Sequence, residues 1–116
     1  MRTLLIMNDP PYGTERAYNG LRLANSLARR EGQEAKVFLM GDGASCAKSG
    51  QTLPKGYYSM ERMLKGFHGK GGETGVCGTC MDARGLTDDE LVEGARRSTL
   101  DELTDWTVWA DKVVVF

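Results

Sequence analysis

The two cysteines Cys77 and Cys80, three residues apart, are the side chains of this sequence best suited to do chemistry. An apolar stretch predicts a strand that ends at Cys77, and the turn that follows is rich in glycine. Ligands and reactions in open α/β sheets are found where strands end in loops. A thiol there becomes a nucleophile when donors or a positive charge stabilise its thiolate. Arg84 is near enough in sequence to supply that charge, so we predict a catalytic site of Cys77, Cys80 and Arg84.

The Cys-x-x-Cys spacing is also compatible with other uses of cysteine. Free cysteines are often small buried hydrophobic residues, but the flanking glycines expose backbone and argue against that use here. A thioredoxin-type redox pair normally opens a long helix that lowers the thiol pKa. Only a helical turn fits between Cys80 and Gly85, which favours a reactive thiol over a dedicated disulfide exchanger. Cys46 follows another predicted strand and is expected to be structural.

Metal and phosphate sites find little support in the sequence. A zinc site needs two further Cys or His ligands, and the candidates, Cys46 and His68, form no second closely spaced pair. A structural zinc held by Cys77, Cys80 and His68 remains as an alternative. The loop at residues 8–14 lacks the glycine spacing of a dinucleotide-binding turn, and Gly69-Lys70 lacks the rest of a phosphate-binding loop. We expect no metal and no cofactor.

Composition limits the classes of partner. The chain has 116 residues, 15 basic and 16 acidic, for a formal charge of -1, and 41% of it is hydrophobic. A balanced charge argues against a nucleic-acid partner and a polybasic membrane patch. No apolar run is long enough to span a membrane, and no secretory signal is evident. We therefore expect a cytoplasmic protein, where thiols stay reduced, and three cysteines fit poorly with a disulfide framework.

The hydrophobic pattern predicts alternating strands and helices along a single domain, residues 1–116. The expected strands cover residues 3–7, 35–40, a segment ending at Cys77, 95–98 and 113–116. Such alternation with short connections predicts a mainly parallel four- to five-stranded sheet with helices on both faces. The continuous apolar character of the first and last strands predicts central positions, covered on both faces.

Helix starts are marked by capping residues. Thr14 and Ser59 precede helically spaced apolar residues, and two stretches, Thr87-x-x-Glu90 and Thr99-x-x-Glu102, match the capping box. We expect the last helix to turn four residues inward: Leu100, Leu103, Trp106 and Ala110. The middle of the chain holds more aromatic and methionine residues than one core needs, which predicts an interface between subunits at Tyr57, Tyr58, Met60 and Met63.

Several short motifs, in order along the whole chain, resemble the YchN-like proteins of the DsrE/DsrF superfamily. They are Pro10-Pro-Tyr-Gly13, Leu21-Arg-Leu-Ala24, Phe38-Leu-Met40, Gly50-Gln51, Cys77-Gly-Thr-Cys80 with Arg84-Gly85, and Ala110-Asp-Lys-Val113. The sequence departs from the family in Asp9-Pro10-Pro11 and in the glycine-rich residues 69–72. The resemblance implies a flavodoxin-like α/β fold that assembles as a homotrimer or homohexamer.

The same resemblance implies a role in sulfur relay. In the better understood members of the superfamily a cysteine carries sulfur as a persulfide, and that cysteine corresponds to Cys77, with Cys80 as a second thiol. The leading hypothesis is a sulfurtransferase-like subunit that takes sulfur from a donor protein and passes it to an acceptor. The alternatives are a non-catalytic module that binds a small ligand or a partner, a thiol redox protein, and the zinc-bound subunit.

Overall fold

A five-stranded sheet, in which every neighbouring pair of strands is parallel, runs through the protein. The computed structural model describes all 116 residues. The strands are β1 (Arg2–Met7), β2 (Glu34–Leu39), β3 (Glu73–Cys77), β4 (Ala95–Ser98) and β5 (Lys112–Val115), in the spatial order β4-β3-β2-β1-β5. The predicted single α/β domain and its parallel sheet are confirmed.

Four α-helices and two short 3₁₀ helices connect the strands. They are α1 (Arg16–Ala28), α2 (Met60–Gly69), α3 (Gly78–Ala83) and α4 (Leu100–Trp109), with 3₁₀ helices at Gly41–Ala47 and Asp88–Glu90. The chain steps from β1 to β4 in one direction and then crosses back to place β5 beside β1. Because right-handed crossovers in opposite directions lie on opposite faces of a sheet, α4 covers the face that α1 and α2 leave free. No helix is both long and apolar enough to cross a bilayer.

The two faces of the sheet carry unequal cores. On one face, residues such as Leu5 and Val37 pack with Leu21 of α1 and Phe67 of α2 in a cluster of 18 buried residues. On the other face, four buried residues form a small core under α4: Leu4, Phe38, Leu103 and Trp106. Helices therefore cover both faces as predicted, but α4 covers its face alone.

The prediction for β1 is confirmed and that for the last strand is wrong. In β1, Leu4 and Leu5 are fully buried on opposite faces of the sheet. By contrast, β5 is an edge strand paired only with β1, and Val113 and Val115 are 43% and 63% exposed. An apolar run is the same in sequence whether the chain itself covers the strand or leaves it open, so the sequence pattern could not distinguish the two.

Side-chain directions differ from expectation at two further places. Leu103 and Trp106 of α4 face inward as predicted, but Leu100 is 73% exposed at the first turn of the helix. Met60, expected at an interface, is buried in the larger core, while Tyr57, three residues earlier, stays exposed. Thr87 and Thr99 act at their helix starts, but the N-cap residue of α1 is Glu15 and not Thr14, and no side chain caps that helix. The capping box is complete only at Thr87, because the carboxylate of Glu102 binds Arg96 and Ser98 instead.

Candidate functional site

Cys77 is the last residue of β3 and the residue before the first turn of α3. Its backbone pairs with Ser98 of β4, which fixes its position at the carboxyl edge of the sheet. The half-buried side chain lies on the α4 face, against the smaller core. Cys80, one helical turn later, packs against the larger core on the other face. The two thiols are nevertheless near enough for each to affect the pKa of the other.

The surroundings of Cys77 favour its thiolate. Partial burial opposes ionisation, but hydrogen bonds from the Cys80 thiol, the Thr79 hydroxyl and the backbone N–H groups of Thr79 and Cys80 outweigh it and lower the pKa of Cys77. The Thr79 hydroxyl lies 3.4 Å from the Cys77 sulfur. Donors to a thiolate stabilise its charged form. Cys77 is therefore the thiol of this pair that ionises first.

Cys80 is held in the opposite protonation state. Burial, and its hydrogen bond to Cys77, raise the pKa of Cys80, against a smaller lowering by the backbone of Gly41 and the charge of Arg84. The Gly41 N–H donates to the Cys80 sulfur over 3.1 Å. Gly41 has φ +57°, in the left-handed region that favours glycine. The Gly41 N–H therefore donates to the sulfur of Cys80, and the neighbouring Cys80 thiol in turn favours the thiolate of Cys77.

An apolar cavity of about 500 Å³ opens beside the thiols, between the sheet and the first turn of α4. Phe38, Met40, Leu100 and Leu103 provide its apolar wall, and both cysteines line it. Ligand sites are commonly concave and apolar with a few polar groups that converge on them. The cavity can therefore receive an apolar side chain or small ligand next to Cys77.

Arg84 lies near the thiols, but its charge is directed at Asp42 and not at Cys77. Its guanidinium contacts one Asp42 oxygen from two nitrogens, at 2.8 and 3.2 Å, and donates to the Cys80 carbonyl at 3.1 Å. It does not contribute to the pKa of Cys77 and acts weakly on that of Cys80. The expected charge partnership between Arg84 and Cys77 is thus not formed, because a full negative charge on the neighbouring 3₁₀ helix competes for the guanidinium.

Arg97 of β4 is the residue at this site that the sequence analysis missed. Its guanidinium lines the cavity, donates to the Gly78 carbonyl at 3.1 Å, and forms ion pairs with Asp82 and Asp88. Asp82 of α3 pairs with Arg97 and not with the nearby Arg84, which binds Asp42. The predicted strand at residues 95–98 could have indicated Arg97, because a strand there places an arginine next to β3.

Cys46 and His68 do not join the site. Cys46 is fully buried, and its sulfur donates to the Asp9 carbonyl at 3.5 Å. Burial, together with the charge of Asp9, raises the pKa of Cys46 to about 12. Both ring nitrogens of His68 are engaged, by the Glu93 carbonyl at 2.9 Å and the Thr74 hydroxyl at 2.8 Å. No three Cys, His, Asp or Glu side chains cluster as a metal site, so the zinc ligand set of Cys77, Cys80 and His68 is not assembled.

A parallel sheet with two neighbouring thiols at the carboxyl end of an inner strand defines a small α/β protein built around a cysteine site. The chain belongs to the DsrE/DsrF-like family, whose model matches residues 1–116. Protein YchN of Escherichia coli is 35% identical over 116 residues, which cover 99% of this chain and 98% of YchN. An uncharacterised protein of Methanocaldococcus jannaschii is 38% identical over 116 residues, with both chains fully covered.

Solved structures agree with the sequence relatives. The crystal structure of YchN from E. coli matches with a TM-score of 0.90 at 36% identity, and the match covers 100% of both chains. The family and fold inferred from the sequence motifs are therefore confirmed.

Proposed function

We propose that this protein is a sulfur-relay subunit that carries sulfur as a persulfide on Cys77. The observation that supports this most is the environment of the Cys77 sulfur, which is partly exposed, has a lowered pKa and borders an apolar cavity. The thiolate is the nucleophile in sulfur chemistry. Membership of the DsrE/DsrF-like family is consistent with this role.

The loading step is an exchange of one sulfur–sulfur bond for another. The Cys77 thiolate attacks the outer sulfur of a persulfide on a donor protein, a new S–S bond forms, and the donor leaves as a thiolate with the bonding pair. Unloading repeats the exchange, since an acceptor thiolate attacks the outer sulfur and Cys77 leaves as a thiolate. No net oxidant or reductant is consumed. A leaving group with a low pKa departs faster, so the lowered pKa of Cys77 favours unloading as well.

Cys80 has two roles. Before loading, its thiol favours the Cys77 thiolate, and after loading it can resolve a persulfide that is not passed on. Its thiolate can attack the inner sulfur of the Cys77 persulfide, which forms a Cys77–Cys80 disulfide and releases hydrosulfide. A reducing thiol must then restore the pair. Because the pKa of Cys80 is raised, little of it is thiolate near neutral pH, and resolution is slow relative to transfer. Arg84 acts as a positioning residue that ties α3 to Asp42.

Mass spectrometry after incubation with a low-molecular-weight alkyl persulfide tests the proposal. We expect a gain of about 32 Da, one sulfur, on the peptide that holds Cys77. Cys77→Ser abolishes the gain, while Cys80→Ser keeps it and lengthens its lifetime. Cys46→Ser is the matched control and leaves loading unchanged. Absence of the added sulfur on Cys77 under conditions that load an established persulfide carrier would refute the proposal.

The second candidate function is a non-catalytic binding module, and the apolar cavity beside Cys77 favours it. Leu100→Asp places a charge on the cavity wall, whereas Thr104→Asp places one on an exposed part of the same helix that does not line the cavity. We expect a fluorescent apolar probe to lose affinity for the Leu100→Asp variant only. Probe binding by a protein that takes up no sulfur would favour the binding module over the carrier.

We also propose that the protein acts in the cytoplasm as a homotrimer or homohexamer. The open edge of β5 and three exposed valines, Val108, Val113 and Val115, support assembly through this side of the chain. Unpaired strand edges and exposed apolar residues are commonly covered by another subunit. Light scattering at micromolar concentration should give three or six times the 12.7 kDa of one chain, and a monomer mass would contradict the assembly.

A further inference from the structure

A groove of about 840 Å³ lies between α1 and α2, away from the thiols. Four basic side chains line it, and no carboxylate does: Arg22, Arg29, Arg62 and Lys70. All four are exposed. The rest of its lining includes neutral polar groups on Asn19, Asn25 and Ser26. We call this surface the basic groove.

The cations of the basic groove form no ion pairs, whereas most of the other basic side chains do. Eight of the 15 basic side chains form ion pairs with carboxylates, and four of the remaining seven line this groove. Glu61 lies close by in sequence, but it is engaged by Lys65 and by the Gly50 N–H. The formal charge of -1 therefore conceals a local excess of positive charge, which the argument from total composition could not detect.

The floor of the groove is held in place before any ligand binds. The Asn25 side-chain amide donates to the Leu21 carbonyl at 3.0 Å and to the Met63 carbonyl at 3.1 Å, and so joins α1 to α2. The Asn25 oxygen accepts from Lys70 at 3.2 Å. Arg22 and Arg29 are two helical turns apart, roughly 10 Å along the axis. The positive charge is thus extended along the groove, which suits a chain of anionic groups better than one anion.

Aromatic rings continue the surface at one end. The Arg22 guanidinium lies over the Tyr18 ring at 5.6 Å, and Tyr18 stacks on Tyr58 at 4.2 Å. Tyr57 is nearly parallel to Tyr58, at an interplanar angle of 18°, and is 57% exposed. We call these three rings the tyrosine step. Glu15 borders this end, where a neutral aromatic ligand group would meet less repulsion than a phosphate.

We propose that the basic groove and the tyrosine step together bind single-stranded nucleic acid. The backbone phosphates lie along the four cations and a base stacks on the exposed ring of Tyr57. A cationic groove that follows the backbone, joined to aromatic rings for the bases, is how proteins bind single strands without reading their sequence. An acidic peptide or a polyphosphate chain would use the cations but not the rings.

Fluorescence anisotropy with a labelled oligonucleotide of about ten nucleotides tests the proposal. Four phosphate contacts predict a slope of log K against log[KCl] of about -3, which is an affinity loss of about 50-fold between 50 and 200 mM KCl. Arg29→Gln and Arg62→Gln should each weaken binding and flatten the slope by about 0.7. Lys112→Gln is the matched control and should leave binding unchanged. Lys112 is exposed, forms no ion pair and does not line the groove.

The tyrosine step gives a second, independent readout. Tyr57→Ala should weaken binding about five-fold or more at unchanged salt slope, while Tyr57→Phe keeps the ring and the affinity. RNA and DNA strands of one sequence, assayed side by side, show which sugar is preferred. No binding at 50 mM KCl would overturn the proposal. Equal binding of inorganic polyphosphate with no effect of Tyr57→Ala would overturn it too, in favour of a general polyanion surface.

Discussion

Two cysteines follow neighbouring strands at the same edge of the sheet, yet their surroundings are opposite. Cys46 lies in the 3₁₀ helix after β2, is fully buried, and has its pKa raised to about 12 by burial and the charge of Asp9. Cys77 ends β3 with part of its surface exposed, and the donors around it lower its pKa despite partial burial. Both cysteines lie at the carboxyl edge of the sheet, so burial and local hydrogen-bond donors, and not that location, determine whether a thiol is structural or reactive.

Within the 3₁₀ helix that holds Cys46, Gly43 should tolerate a side chain less well than Gly41 does. Gly43 approaches β1 so closely that a Cβ would lie 2.2 Å from the Met7 carbonyl oxygen, and backbone there cannot move aside. We expect Gly43→Ala to lower the free energy of unfolding by about 3 kcal/mol. Gly41→Ala meets no close atom and is limited by its positive φ, so it should lose only about 1 kcal/mol. Urea unfolding measures both losses. Equal losses of unfolding free energy would show that the close approach of Gly43 to β1 does not limit substitution there.

Replacement of each thiol by a hydroxyl sharpens the same contrast. Cys46→Ser buries a more polar group in the larger core, with only the Asp9 carbonyl as an acceptor, and should lose about 1–2 kcal/mol of unfolding free energy. Cys77→Ser changes a partly exposed group next to the Thr79 hydroxyl and should stay within about 0.5 kcal/mol. If Cys77→Ser proved the more destabilising in urea unfolding, Cys77 would be a structural residue.

Removal of the Cys80 donor should make Cys77 more like an ordinary thiol. Cys80→Ala deletes the hydrogen bond that lowers the pKa of Cys77, and we expect alkylation of Cys77 at pH 7 to slow several-fold. Cys80→Ser retains an O–H donor and should keep most of the rate. Competition with iodoacetamide, read by peptide mass, distinguishes the two variants. Identical rates in the alanine and serine variants would mean that Cys80 does not tune Cys77.

Arg84 should have the smallest effect on the reactive thiol. Because its guanidinium is bound to Asp42, we expect Arg84→Ala to change the alkylation rate of Cys77 by less than about two-fold. The same variant should raise the pKa of Cys80, since Arg84 favours the Cys80 thiolate. A large loss of Cys77 reactivity in this variant would restore Arg84 as the charge partner that the sequence alone indicated.

The sequence predicted what local pattern determines. Apolar runs, capping residues and glycines placed every strand and the thiol pair, because strand and helix periods and turn chemistry are local properties. It did not predict that β5 would be an edge strand, since spatial order depends on which way the chain crosses after β4. Nor could it predict the partners of Arg84 or the place of Arg97 beside Gly78, because these pairings join residues distant in sequence.

The pH dependence of alkylation at Cys77 and Cys46, measured in one sample by peptide mass, tests the central contrast most directly. The thiolate reacts, so a lowered pKa moves the rise of the rate to lower pH. We predict that Cys77 reaches half of its maximal rate below the pH of about 8.5 expected of a free cysteine. Cys46 should stay unmodified across the range in which the protein is folded. A midpoint for Cys77 at or above that of free cysteine, or modification of Cys46 at a similar rate, would contradict the account.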